Sequence, residues 1–140
     1  QKQAETGKIS HPFLLRSRLF YDGGYYKKTL LELEKIENPH LFSNTENTIE
    51  YWYRKARVFQ KMEKPITEVI SSFQKALDIE LTSNSYYTPM SALQIAIEYE
   101  KIGEKQKAKS YYNKCLSMKD FDYQRGIHQK AKAGLNRIAN

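Results

Sequence analysis

Cysteine is nearly missing from this chain, and its scarcity narrows the chemistry at once. The single Cys115 among 140 residues excludes an internal disulfide framework and any zinc site built on paired cysteines. Its neighbours Tyr111, Tyr112 and Leu116 mark it as a small packed residue on a helix. A reactive thiol is the alternative, with no His or Lys evidently placed to activate it. Histidine is sparse too: His11, His40 and His128 lie far apart, none at metal-ligand spacing with another His, Cys or acid. Asp120 and Asp122 flank Phe121 in a turn, where acids commonly cap a following helix; a metal or acid–base pair there is the weaker reading. Glycine-rich phosphate loops are absent, because Gly23–Gly24 follows no strand and precedes no Gly-Lys-Ser/Thr. No apolar run approaches the roughly 18 residues a membrane span needs. With no catalytic constellation, metal or cofactor motif in view, the sequence is read as non-enzymatic.

What remains is a chain long enough for one domain with a real core, taken as residues 1–140. It opens on Gln1 without an initiator Met, and is expected to be the C-terminal piece of something longer. The formal charge of +7 is uneven: residues 101–140 carry ten Lys or Arg against three acids, while the first hundred balance at thirteen against thirteen. A basic end attracts nucleic acid, anionic lipid or an acidic partner. The favoured reading is the ordinary solvated face of Lys-rich helices, because no aromatic–basic recognition motif accompanies the charge. Nucleic acid is therefore disfavoured.

The chain repeats itself. Phe13, Ser17 and Phe20 correspond to Trp52, Ala56 and Phe59, and then to Ala92, Ala96 and Tyr99. A second set runs Thr29, Leu33, Ile36, then Val69, Phe73, Ala76, then Ala108, Tyr112, Cys115. The spacing is 39 or 40 residues throughout, within the range of solenoid repeats. Two antiparallel helices pack closely only where small side chains meet at their crossing and large ones fill the grooves around it. The recurring small and aromatic residues are accordingly core, not a cofactor box.

Punctuation supports the same layout. Ser10 before Pro12, and Thr88 before Pro89, suit helix starts. Gly23–Gly24 and Gly103 suit turns within pairs, Pro65 starts a helix, and Asn38–Pro39 and Thr82–Ser85 suit loops between pairs. The spacing predicts helices near 11–22, 25–37, 47–63, 65–80, 88–102 and 104–118, grouped as units 11–37, 47–80 and 88–118. A seventh helix, 122–139, places Ile127, Ala131, Leu135 and Ile138 on one face and Arg125, Lys130, Lys132 and Arg137 on the other. Such a helix caps the exposed flank of a repeat array.

Ala96, Tyr99, Ile102–Gly103, Ala108, Tyr112 and Cys115 stand where tetratricopeptide repeats carry small, aromatic, turn and small residues, and the chain resembles that family. FYDGGYYKKTLLEL at 20–33, YWYRKAR at 51–57 and QKAKAGLNRI at 129–138 are similar to the C-terminal repeats of the inclusion-body-clearance and tetratricopeptide-39 branch. The resemblance implies an all-α, right-handed α-solenoid of three helical hairpins and a capping helix, seven helices in all, with a protein-binding role. Thr29 and Val69 replace the family's Ala, and the unit exceeds its usual length of about 34. The Lys/Asn/Arg clamp by which some members hold peptide tails is missing: its positions hold Leu14, Arg18, Tyr53, Arg57, Leu93 and Ile97.

Those six residues, bordered by Tyr21, Gln60 and Met90, are the candidate groove. Two arginines can grip carboxylates in bidentate fashion, and Met90, Leu93 and Ile97 form an apolar end, so a peptide with acidic and apolar parts fits. The competing reading lays Leu93 and Ile97 under the seventh helix and pairs the arginines with Asp22, Glu50 or other acids. Function is thus expected to be a scaffold for a protein or peptide ligand. The alternatives are an RNA-binding helical repeat, whose polar code Leu93 and Ile97 would break, and a non-catalytic assembly domain of a larger enzyme.

Overall fold

The computed structural model describes residues 11–79 and 85–139. These form seven α-helices and no strand: α1 Pro12–Asp22, α2 Tyr26–Glu34, α3 Thr45–Lys61, α4 Ile66–Asp78, α5 Tyr87–Lys101, α6 Lys105–Ser117 and α7 Gln124–Ile138. Consecutive helices α1/α2, α3/α4 and α5/α6 pack as hairpins. All six crossing residues are buried: Ser17, Ala56 and Ala96 on the first helices, Thr29, Val69 and Ala108 on the second. The two hydroxyls among them are satisfied within their own helices, Ser17 donating to Leu14 O and Thr29 to Tyr25 O, at 2.7 and 2.9 Å.

The repeat is also written into the turns. Tyr25 N–H donates to Phe20 O, Lys64 N–H to Phe59 O and Glu104 N–H to Tyr99 O, all at 2.8–3.0 Å, a Schellman-type close on each first helix. Gly24 and Gly103 take the left-handed residue of that close, at φ +84° and +79°. In the middle unit Glu63 must do so at φ 55°, where a side chain costs about 1 kcal/mol. The middle turn then holds one extra residue before Pro65, the N-cap of α4.

Helix starts differ from expectation in instructive ways. Ser10 lies outside the described residues; among these, His11 caps α1, its Nδ1 accepting from Phe13 N–H at 3.1 Å. Thr88 is no cap. Helix α5 begins a residue earlier, Ser85 Oγ accepts the Tyr87 N–H at 3.2 Å, and the Thr88 hydroxyl is buried without a partner. The Thr82–Ser85 loop falls outside the described residues but for Ser85. Asp120 and Asp122 do not cap α7 either; Gln124 Oε1 accepts the Asp120 N–H at 2.6 Å instead.

Successive first helices touch one another, α1 with α3, α3 with α5 and α5 with α7, whereas α2, α4 and α6 do not. The stack is closest on its first-helix side, which is therefore the inner layer. Helix α7 lies against both α5 and α6, as a fourth first helix would. Its buried stripe is Ile127, Ala131 and Gly134, with Leu135 and Ile138 only half-buried, so the face is rotated from the one expected. A polar latch accompanies this placement: Arg137 holds the Glu100 carboxylate at 2.8 and 3.1 Å, and Glu100 accepts the Tyr112 hydroxyl at 2.5 Å. Arg137, Tyr112 and the salt link lower the Glu100 pKa against the opposing effect of burial. At the other end Leu15 and Leu19 remain 39% and 57% exposed. The matching Arg54 and Val58 of the middle unit are buried, because α3 has a hairpin before it and α1, among the described residues, has none.

Cys115 is fully buried in α6, and that burial pushes its thiol up to about 11. Native protein at neutral pH is expected to resist a thiol-specific chromogenic reagent over the time in which denatured protein reacts completely. Rapid native labelling would contradict this packing.

Candidate binding cleft

The inner layer is indented by a half-open, polar cleft of about 250 Å3, lined by Arg18, Tyr21, Asp22, Tyr53, Arg54, Arg57 and Tyr86. Its construction follows from the repeat. Arg18 and Arg57 are equivalent positions of α1 and α3, and the two first helices lie side by side, so the two guanidiniums open onto one space. Tyr21 stands a turn beyond Arg18; the Arg57 guanidinium lies 5.9 Å from its ring centroid. Tyr53 leans on Phe73 and Tyr87, with ring centroids 5.9 and 5.3 Å away, and Tyr86 stacks on Tyr87 at 4.4 Å.

The third arginine is held differently. Arg54 Nε donates to Glu50 at 2.6 Å and Nη2 to the Tyr87 hydroxyl at 3.1 Å. Burial works against its charge, but Glu50 and Tyr87 more than offset this and raise its pKa. Glu50 therefore belongs to Arg54. Neither Arg18 nor Arg57 makes an ion pair with a carboxylate among the described residues; Arg57 donates to the neutral Gln60 Oε1 at 2.7 Å. Burial pushes the Tyr53 phenol up to about 12 and raises that of Tyr21, where Arg57 opposes the shift. Both phenols stay protonated donors at neutral pH. The Tyr21 hydroxyl is buried beside the Arg57 guanidinium, and its own O–H finds no acceptor among the described residues.

The structure thus brings together Arg18, Tyr21, Tyr53 and Arg57 of the sequence-derived groove. The other five sit elsewhere. Leu14 and Leu93 are core residues, 0% and 1% exposed. Gln60 is a brace between α3 and α5, donating to Gln94 at 3.0 Å and Glu98 at 2.8 Å. Met90 and Ile97 are half-buried against the core and do not line the cleft. Arg54, Asp22 and Tyr86 line it without having been selected from sequence. Arg54 had a signal, the i,i+4 spacing from Glu50; Tyr86 had none, since it precedes its helix.

Other features carry less. A broader, mostly apolar hollow of about 650 Å3 lies between α4 and the third hairpin, beside Ile66, Ile70, Tyr99 and Ile102. His128 is structural, its Nε2 2.8 Å from Met118 O. No group of three or more His, Cys, Asp or Glu that could hold a metal occurs among the described residues. No helix among them is long and apolar enough to cross a membrane.

Against known proteins, the tetratricopeptide repeat family matches residues 91–122, from within α5 through α6 to the turn before α7. No curated protein matches the chain. With six of the seven described helices paired as hairpins at a regular interval, the chain is an all-α helical array, consistent with a tetratricopeptide-like repeat, that carries one matched tetratricopeptide repeat at 91–122. A repeat of this kind points to protein partners and a scaffold role, and such repeats are typically non-catalytic.

Proposed function

We propose that this chain is a non-catalytic protein-interaction scaffold that takes a peptide or protein segment along the inner layer, with the arginine cleft as its polar anchor. In this proposal the three hairpins and α7 make up one domain, wound as a right-handed superhelix. It also includes kinship with the inclusion-body-clearance and tetratricopeptide-39 branch, for which the strings at 20–33, 51–57 and 129–138 are the support. One observation carries the choice of surface. Arg18 and Arg57, equivalent in the repeat, meet in a cleft where neither has a carboxylate partner among the described residues. Guanidinium groups left with free donors are suited to a carboxylate-bearing ligand, which they bind in bidentate fashion. Met90 and Ile97, half-buried on α5, are the nearest candidates for an apolar end.

The test is a peptide array graded in acidic and apolar content, probed with the parent chain and with Arg18→Glu/Arg57→Glu. Reversing both charges is expected to abolish binding to acidic peptides while the helical circular dichroism and melting temperature persist. Binding that survives in a folded double variant would remove this surface from consideration.

A further inference from the structure

The cleft supplies more than a carboxylate can use. A carboxylate offers two oxygens and one negative charge; a phosphate monoester offers three terminal oxygens and a charge of about −1.5 to −2 at neutral pH. Arg18 has all its guanidinium donors unassigned among the described residues, and Arg57 gives one N–H to Gln60. Arg54 still has Nη1 beyond its bonds to Glu50 and Tyr87. The buried Tyr21 hydroxyl lacks an acceptor. Against three guanidiniums the cleft wall has one carboxylate, the exposed Asp22, and Glu50 is engaged by Arg54. The lining is donor-rich, net positive and partly closed by the rings of Tyr21, Tyr53 and Tyr86.

Resting on the reading just given, we propose that this cleft receives a phosphoryl group borne by a side chain of the bound peptide, held between Arg18 and Arg57 with Arg54 behind them. A phosphodiester of nucleic acid is the poorer match, because each of its phosphates has only two free oxygens and a single charge. A cleft of only about 250 Å3, half open to solvent, also suits the end of a side chain better than a continuous backbone. Arg54 acts here as a positioning residue as well as a charge, since its ties to Glu50 and Tyr87 fix it across α3 and the start of α5.

The experiment follows the arginine side-chain and backbone amide resonances of the 15N-labelled chain while O-phosphoserine, glutamate and a single-stranded oligonucleotide are added separately. O-phosphoserine is expected to move the Arg18 and Arg57 signals with an affinity at least about tenfold above glutamate. Its binding should strengthen as pH rises through the second phosphate ionisation near 6, a trend glutamate lacks. Arg18→Gln and Arg57→Gln should each weaken it about tenfold with the amide spectrum otherwise preserved. Equal binding of glutamate and O-phosphoserine would overturn the phosphoryl assignment and leave an acid-binding groove standing. An oligonucleotide that moves the same signals more tightly would overturn it in favour of nucleic acid. No response to any of the three at tens of millimolar would sink both the phosphoryl site and the polar anchor.

Discussion

Glu50→Leu is expected to lower the melting temperature by roughly 10 °C, one of the two largest single-site effects anticipated for this chain. Glu50 and Arg54 sit one turn apart on α3 with side chains only 6% and 10% exposed. Removing the acid leaves a guanidinium buried with the Tyr87 hydroxyl as its remaining hydrogen-bond partner among the described residues. Breaking a buried pair from one side costs about 3–5 kcal/mol, because the surviving charge has lost both water and counter-ion. The lower end applies, since Arg54 also borders the cleft and water can reach it there. About 3 kcal/mol corresponds to some 10 °C in a domain of this size. The double variant Glu50→Leu/Arg54→Leu removes both charges and should recover most of the loss, as apolar replacement of buried pairs often does. Thermal unfolding followed by circular dichroism reads the cycle. A single variant as stable as the parent would mean that the pair is solvated.

Gly134 and Gly126 share one helix and should respond to alanine with opposite signs. A Cβ added at Gly134 would meet the Tyr112 ring, with Cε1 and Cε2 at 2.5 and 2.6 Å, well inside van der Waals contact. The ring has little freedom to retreat. Tyr112 is fully buried, and its hydroxyl is held by Glu100, which Arg137 holds in turn. Overpacking of this kind costs about 1–3 kcal/mol, and the strain falls on the joint between α7 and the third hairpin. Gly134→Ala is therefore expected to lower the melting temperature by several degrees and to raise amide exchange in α7 first. Gly126, by contrast, has nothing within 4 Å of a new Cβ and lies inside α7. Gly126 is the third residue of α7, so alanine there removes part of the mid-helix glycine penalty and should stabilise by up to about 0.5 kcal/mol. Equal effects at the two sites would show that α7 is not docked on Tyr112.

The close approach of Tyr112 to Gly134 also accounts for the stripe that α7 presents in place of the one its periodicity suggests. Apolar spacing marks Ile127, Ala131, Leu135 and Ile138 as one face, and a glycine attracts no attention in such a pattern. Tyr112 projects far enough from α6 to need a position without a side chain. The helix rotates to offer Gly134, which carries Arg137 over Glu100. Gly134 was visible in the sequence; the ring requiring it was identified only as core.

The inner-layer site divides along the same line. The 39-residue spacing put Arg18 and Arg57 on equivalent faces, and the fold brings both to the cleft. Arg54, three positions before Arg57, reaches the same space, and it is Arg54 that takes Glu50. Gln60 carried the same periodic credentials as Tyr21, but Gln94 and Glu98 stand opposite it on α5 and absorb its donors.

From sequence alone came the helices, their pairing, the repeat and the small residues at each crossing. All of these are local or periodic, set by side-chain size at fixed helical intervals. Tertiary structure decided which arginine is neutralised, which polar residue braces neighbouring helices and how α7 turns. Those outcomes depend on the reach of side chains arriving from other helices. Periodicity assigns a residue to a face; only the neighbour across the gap determines whether that face holds a partner or an open cleft.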